Sequence, residues 1–146
     1  MRQRALPLIA AIVVVACASS TTRPDGVTKA DVDVALLNSL FFSSAGNAAA
    51  SFEVRVTNTA EIPITIYSIR LSSPGMVQYS MQPVERRLRE TVEPGQSATV
   101  GISATVFGNP GTTVNEEPFA VRVFLDFEAN GARHHDIFNI LNVAQP

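Results

Sequence analysis

Cysteine occurs once in this 146-residue chain, at position 17, and tryptophan not at all. A lone thiol closes no bridge within the chain, so packing alone must hold the fold together in any compartment outside the cytoplasm. Aromatic residues make up 7% of the sequence, too sparse with no tryptophan for a carbohydrate-stacking platform. The only histidines are His134 and His135, side by side. There is no G-x-S-x-G elbow, no H-E-x-x-H pair and no repeat of about 20 to 50 residues. No apolar run reaches the roughly 20 residues that a spanning helix needs. These absences argue against an enzyme, although a hydrolase assembled from distant residues leaves no spacing to read. No cofactor is expected.

What is present begins with Met1 to Arg4, MRQR, followed by the uncharged run ALPLIAAIVVVA from Ala5 to Ala16. Two arginines and then about a dozen apolar residues are the layout of an export signal. The run stops at Cys17 and gives way to polar SSTTRPDG. Val14, Val15 and Ala16 directly before Cys17 resemble a bacterial lipobox over the first 17 residues. The resemblance implies cleavage before Cys17 and a diacylglycerol thioether on its sulfur, usually with a further acyl chain. Durable anchoring needs two or more chains, because each buried methylene contributes about 0.8 kcal/mol. An ordinary secretory signal with a chance cysteine near the cut is the competing reading. Ala18 stands where the resemblance would put an aspartate for inner-membrane retention, which favours the outer membrane, facing the periplasm, in a host that has one.

Eleven basic side chains, less Arg2 and Arg4 of the signal, leave nine against thirteen acidic ones, a formal charge of −4. Nucleic acid is an unsuitable partner for such a surface. The domains expected are a signal at 1–16, a lipidated cysteine with a Ser-, Thr-, Pro- and Gly-rich tether at 17–30, and one folded domain at 31–146.

Within that domain apolar residues recur with period two. Val32 to Phe42 predicts a first strand, and Phe52, Val54 and Val56 alternate with Glu53, Arg55 and Thr57 in a second. Ile64, Ile66, Ile69 and Leu71 mark a third behind Pro63. Met76 to Met81 reads as a short strand. Val84 to Val92 fits a strand better than a helix, although Val84, Leu88 and Val92 also suit helical spacing. Ala98 to Val106 alternates without interruption. After the long loop from Phe107 to Pro118, Phe119, Val121, Val123, Leu125 and Phe127 face one way. Asn130-Gly131 is the strongest hairpin signal. Arg122, on the opposite face from Val123, is expected to accept aspartate without loss. Seven to eight short strands divided by turns predict an all-β, antiparallel, immunoglobulin-like sandwich, with a Greek-key barrel as the nearest rival.

FEVRVTNTAEIPITIYSIRLSSPG, from Phe52, and the later TVEPGQSATV resemble late-embryogenesis-abundant type 2 domains and the adhesion-type modules of bacterial surface proteins. Thr59 stands after Asn58 where the type 2 pattern usually has proline. The resemblance covers residues 32–106 and implies a non-catalytic binding or structural module.

Few residues carry chemistry. His134 and Asp136 share a strand face and are the weak candidates for zinc or copper, with Met76 and Met81 as soft donors; more ligands would have to come from elsewhere. Glu116-Glu117 reads as a solvated pair in a Pro-flanked loop. Arg86, Arg87 and Arg89 form the only basic cluster, suited either to blocking a sheet edge or to meeting anionic headgroups or an acidic partner. Phe41-Phe42 places one ring away from the core, a packed loop or a partner surface. The expectation is a lipid-anchored envelope protein that joins another envelope protein as a binding or assembly module, with an envelope metal-handling lipoprotein and an undetected hydrolase as alternatives.

Overall fold

The computed structural model describes residues 29–75, 79–110, 113–114 and 119–143. Cys17, the signal and the tether up to residue 28 lie outside them, as do Met76 and Glu116-Glu117. Seven long strands form the body: β1 (Ala30–Leu36), β3 (Asn47–Asn58), β4 (Ile64–Ser72), β6 (Val84–Val92), β7 (Ser97–Phe107), β9 (Val121–Ala129) and β10 (Ala132–Ile140). Three two-residue strands complete the described set, β2 (Leu40–Phe41), β5 (Ser80–Met81) and β8 (Thr113–Val114).

Two four-stranded sheets result, one in the order β1-β3-β7-β5 and the other β10-β9-β4-β6, with β2 pairing β8 apart from both. Every pairing is antiparallel. β1 and β3 share one sheet, β4 and β6 the other, β7 returns to the first and β9 and β10 to the second; these crossings between two separate sheets make this an immunoglobulin-like sandwich and not a closed barrel. The core is the set of inward side chains that the period-two pattern marks. Along β9, Val121, Val123, Leu125, Phe127 and Ala129 are all 1% exposed or less. Phe52, Val54 and Val56 of β3 are fully buried opposite them.

The final hairpin has the geometry its turn demands, with φ of 53° at Asn130 and 73° at Gly131. Both central residues of a type I′ turn need positive φ, which asparagine and glycine tolerate best. The segment Val84–Val92 is a strand, and it lies at a sheet edge. There Arg86 and Glu90 oppose the buried Ile69 and Ile66 in register, yet both are exposed. Inward-register charges on an edge discourage pairing with another chain.

One expectation needs correction. The first strand ends at Leu36, not Phe42, because Asn38 leaves the ladder and its amide takes over backbone pairing. Its Oδ1 accepts from the Ser51 N–H at 2.7 Å, and its Nδ2 donates to the Ala49 carbonyl at 3.0 Å. The chain can therefore turn, burying Phe42 against Tyr79 in a stack of 5.5 Å while Phe41 stays 66% exposed. The third strand buries the expected Ile64, Ile66, Ile69 and Leu71, and a bulge explains the skip between Ile66 and Ile69. Tyr67 is an extra residue relative to β9, since Ile66 pairs with Phe127 and Ser68 with Asp126. This β-bulge is what carries burial from even positions, Ile64 and Ile66, to odd ones, Ile69 and Leu71.

Asn58 is the one fully buried polar residue of the described chain. Its Nδ2 donates to the carbonyls of Ile62 and Val92 at 2.8 and 2.9 Å, and its Oδ1 accepts from the Ala60 N–H at 2.9 Å. Its own N–H and carbonyl pair with Gln96 and Gly95. One side chain thus ties the β3–β4 and β6–β7 connections together at the end where the chain enters, since Thr59 N–H also bonds the Lys29 carbonyl.

Candidate functional site

The outer face of the β10-β9-β4-β6 sheet carries the densest constellation of polar and aromatic side chains. Its composition follows from alternation: between the buried residues of β9, Arg122, Phe124, Asp126 and Glu128 must point outward. The hairpin register sets Ile137 beside Phe124, His135 beside Asp126 and Arg133 beside Glu128. On the other flank β4 places Arg70 next to Phe124 and Ser68 next to Asp126.

Arg133 is the hub at one end. Its Nε and one terminal nitrogen grip both Asp126 oxygens at 2.7 and 2.6 Å. Its guanidinium lies 3.8 Å from the Tyr67 ring centroid. The bulge supplies that ring, and the Tyr67 hydroxyl donates to Glu128 at 3.2 Å. His135 Nδ1 stands 3.3 Å from Asp126. The hydrogen bond from Arg133 holds the Asp126 carboxyl below the usual carboxylate range, against a smaller opposing effect of burial, and the same bond raises Arg133. A depressed carboxylate contributes stability above its unfolded value, and that contribution is lost as pH falls through the folded value. Exchanging Arg133 for glutamine should move the Asp126 midpoint up toward about 3.9, the ordinary value. Following the side-chain carboxyl carbon by NMR measures it, and an unmoved midpoint would mean that the bidentate pair does not persist in solution.

At the other end Arg70 lies over the Phe124 ring, 4.1 Å from its centroid. Among the described residues it has no carboxylate within ion-pair distance, so its donors remain available. Ile137, 44% exposed, is the apolar neighbour of Phe124. Between these lies a half-open concavity of about 270 Å³, walled by Arg70, Glu85, Phe124, Asp126, His135 and Ile137. It offers a charged donor laid on an aromatic face, an apolar patch, and an acid already committed to Arg133. That set suits recognition of a group with an acceptor and an apolar portion. Arg122 is less replaceable than its outward position implies, because it donates to Asn139 Oδ1 at 2.9 Å and to the Pro74 carbonyl at 3.1 Å.

The residues singled out in the sequence fall elsewhere. His134 and Asp136 do share the inner face of β10, opposite Phe127 and Leu125. His134 stacks on Phe127 at 5.1 Å, and its Nε2 accepts from Lys29 Nζ at 3.2 Å. Among the described residues no three His, Cys, Asp or Glu side chains stand close enough to hold a metal ion. Arg86, Arg87 and Arg89 line the β6 edge, where Arg87 pairs with Glu85 at 3.1 Å. The Asp126, His135 and Arg133 cluster was not anticipated, yet the Asn130-Gly131 turn alone fixes that register.

No protein-family model matches the chain, and no curated protein matches it. Solved structures do. A Northeast Structural Genomics Consortium target, SoR45, is 11% identical with a TM-score of 0.47, over 77% of this chain and 84% of its own. A protein from Archaeoglobus fulgidus is 12% identical with a TM-score of 0.41, over 75% of this chain and 90% of its own. The sporulation control protein Spo0M from Bacillus subtilis is 19% identical with a TM-score of 0.42, over 81% of this chain but 51% of its own. At such identities and scores no functional argument rests on them.

Proposed function

We propose that the chain is a lipid-anchored protein of the bacterial envelope whose sandwich binds another envelope protein without chemistry of its own. The anchor half of the reading rests on the lipobox-like Val14-Val15-Ala16-Cys17 behind MRQR. The resemblance of residues 32–106 to type 2 and adhesion-type modules supports a binding role over a catalytic one. The observation that carries the binding half is the outer-face concavity, where Arg70 has donors to spare and Ile137 and Phe124 offer apolar contact. A polypeptide segment supplies both an acceptor and an apolar side chain. The face is built on the paired strands of one sheet, with Arg70 and Phe124 on its central β4 and β9, so little ordering cost falls on the protein when it binds.

Two measurements test the two halves separately. Cys17→Ala should abolish labelled fatty-acid incorporation and release the protein from the membrane fraction while its β circular dichroism spectrum is unchanged. Equal labelling of wild type and variant would defeat the anchor. A photo-crosslinking residue at position 137 should give a discrete adduct in intact envelopes. The same residue at position 55, exposed on the other sheet, should not. Equal adduct patterns at the two positions would defeat the binding face.

A further inference from the structure

The edge of β7 is built unlike the other sheet edges. β7 pairs with β3 along its whole length without a register shift. On its other side β5 covers only Val106 and Phe107, and Gln82 N–H reaches the Thr105 carbonyl. Backbone groups alternate sides along a strand, so Ser97, Thr99, Gly101 and Ser103 direct their N–H and C=O to the same side as Thr105. No described strand pairs with those four residues there.

Exposed edges are normally blunted by charge. The β1 edge has Asp31 and Asp33, the β10 edge Arg133 to Asp136, and the β6 edge Glu85 to Arg87 with Arg89 and Glu90. β7, SATVGISATVF, has no charged residue and no proline. Its sequence also reads nearly the same in both directions about Gly101: Val100 answers Ile102, Thr99 answers Ser103, Ala98 answers Ala104 and Ser97 answers Thr105. Buried and exposed positions follow the same symmetry, except that Ala104 is half-buried where Ala98 is buried.

Gly101 itself is not required by the single chain. It does not have a left-handed φ, and a Cβ built there would meet nothing within 4 Å. Glycine inside a strand weakens it and often marks the close approach of a second backbone.

We propose that β7 is a self-association edge, pairing antiparallel with β7 of a second copy about a two-fold axis at Gly101. In that register Gly101 opposes Gly101 of the partner copy, and each Thr99 opposes the other copy's Ser103. Thr99, Gly101 and Ser103, which no described strand pairs on that side, are the residues that exchange hydrogen bonds, and the paired run stops short of Ser97 because Thr105 opposite it already accepts from Gln82. A two-fold contact needs a self-complementary surface, which the near-palindrome supplies. Cross-strand Thr–Ser pairs are favourable, and no like charges meet.

The test uses the full chain in detergent, with molar mass read by light scattering and detergent mass subtracted. Thr99 opposes Arg55 on β3, so a glutamate at 99 is compatible with the single chain. Thr99→Glu with Ser103→Glu sets two acids against two acids across the axis. Thr99→Glu with Ser103→Lys sets acid against base. Wild type and the Glu/Lys variant should have the dimer mass, while the Glu/Glu variant and Gly101→Lys should dissociate at least about tenfold more readily. All four should keep the same circular dichroism spectrum. A monomeric wild type, or a dimer of equal affinity in the Glu/Glu and Gly101→Lys variants, overturns the proposal.

Discussion

Val123→Asp is expected to leave the chain without a folded domain. Val123 is fully buried, third along β9, between Phe138 of β10 and Leu71 of β4. Removing its buried side chain costs about 1.5–3 kcal/mol. Inserting a carboxylate with no partner adds several kcal/mol more, whether it is met as desolvation or as forced protonation. A domain of this size is stable by only about 5–15 kcal/mol. Limited proteolysis and far-ultraviolet circular dichroism read the outcome: the variant should be digested under conditions that spare wild type. Arg122→Asp is the informative companion, one residue along on the outer face. It loses the bonds to Asn139 and Pro74, at about 1–3 kcal/mol together, and should remain folded with a lower melting temperature. Equal protease resistance of the two variants would mean that β9 does not have the inward register assigned to it.

That contrast illustrates where the sequence was legible. Alternation picks out Val121 to Phe127 because both β4 and β10 flank β9 and a buried sheet face admits few substitutes. Asn130-Gly131 announces its hairpin because few other pairs accept two positive φ values. The same turn was enough to set Asp126 opposite His135 and Glu128 opposite Arg133. Reading it required pairing residues across a turn and not along one strand. Arg70 beside Phe124 had no such signal, since β4 and β9 are far apart in sequence and their register depends on a bulge. The skip from Ile66 to Ile69 was the visible trace of that bulge. The extension of the first strand to Phe42 failed for a related reason. Leu40 and Phe42 keep the alternation of a strand, and only the side-chain bonds of Asn38 divert the chain. Local polar groups that stand in for backbone partners leave no periodicity behind.

Asn58→Leu is the second substitution expected to have a large effect, although it buries more apolar surface than the native side chain. The buried Val92 carbonyl loses its side-chain donor, and the Ile62 carbonyl and Ala60 N–H lose theirs at the partly buried margin. Unsatisfied groups of this kind make the loss about 2–4 kcal/mol, with the fully enclosed carbonyl contributing most. Asn58→Asp separates hydrogen bonding from shape. The carboxylate still accepts from Ala60, but it has no N–H to offer two carbonyl oxygens. Burial beside those carbonyls must raise its pKa in the folded chain above the unfolded value of about 3.9. The folded state then binds the extra proton, so stability relative to wild type falls as pH rises above that unfolded value and levels off beyond the folded one. Urea unfolding at pH 4, 5.5 and 7 should show Asn58→Asp diverging from wild type with rising pH, while the deficit of Asn58→Leu stays constant. A pH-independent deficit in the aspartate variant would mean that the side chain turns to solvent. The connections that Asn58 bridges would then be held by the backbone bonds to Gln96 and Gly95 alone.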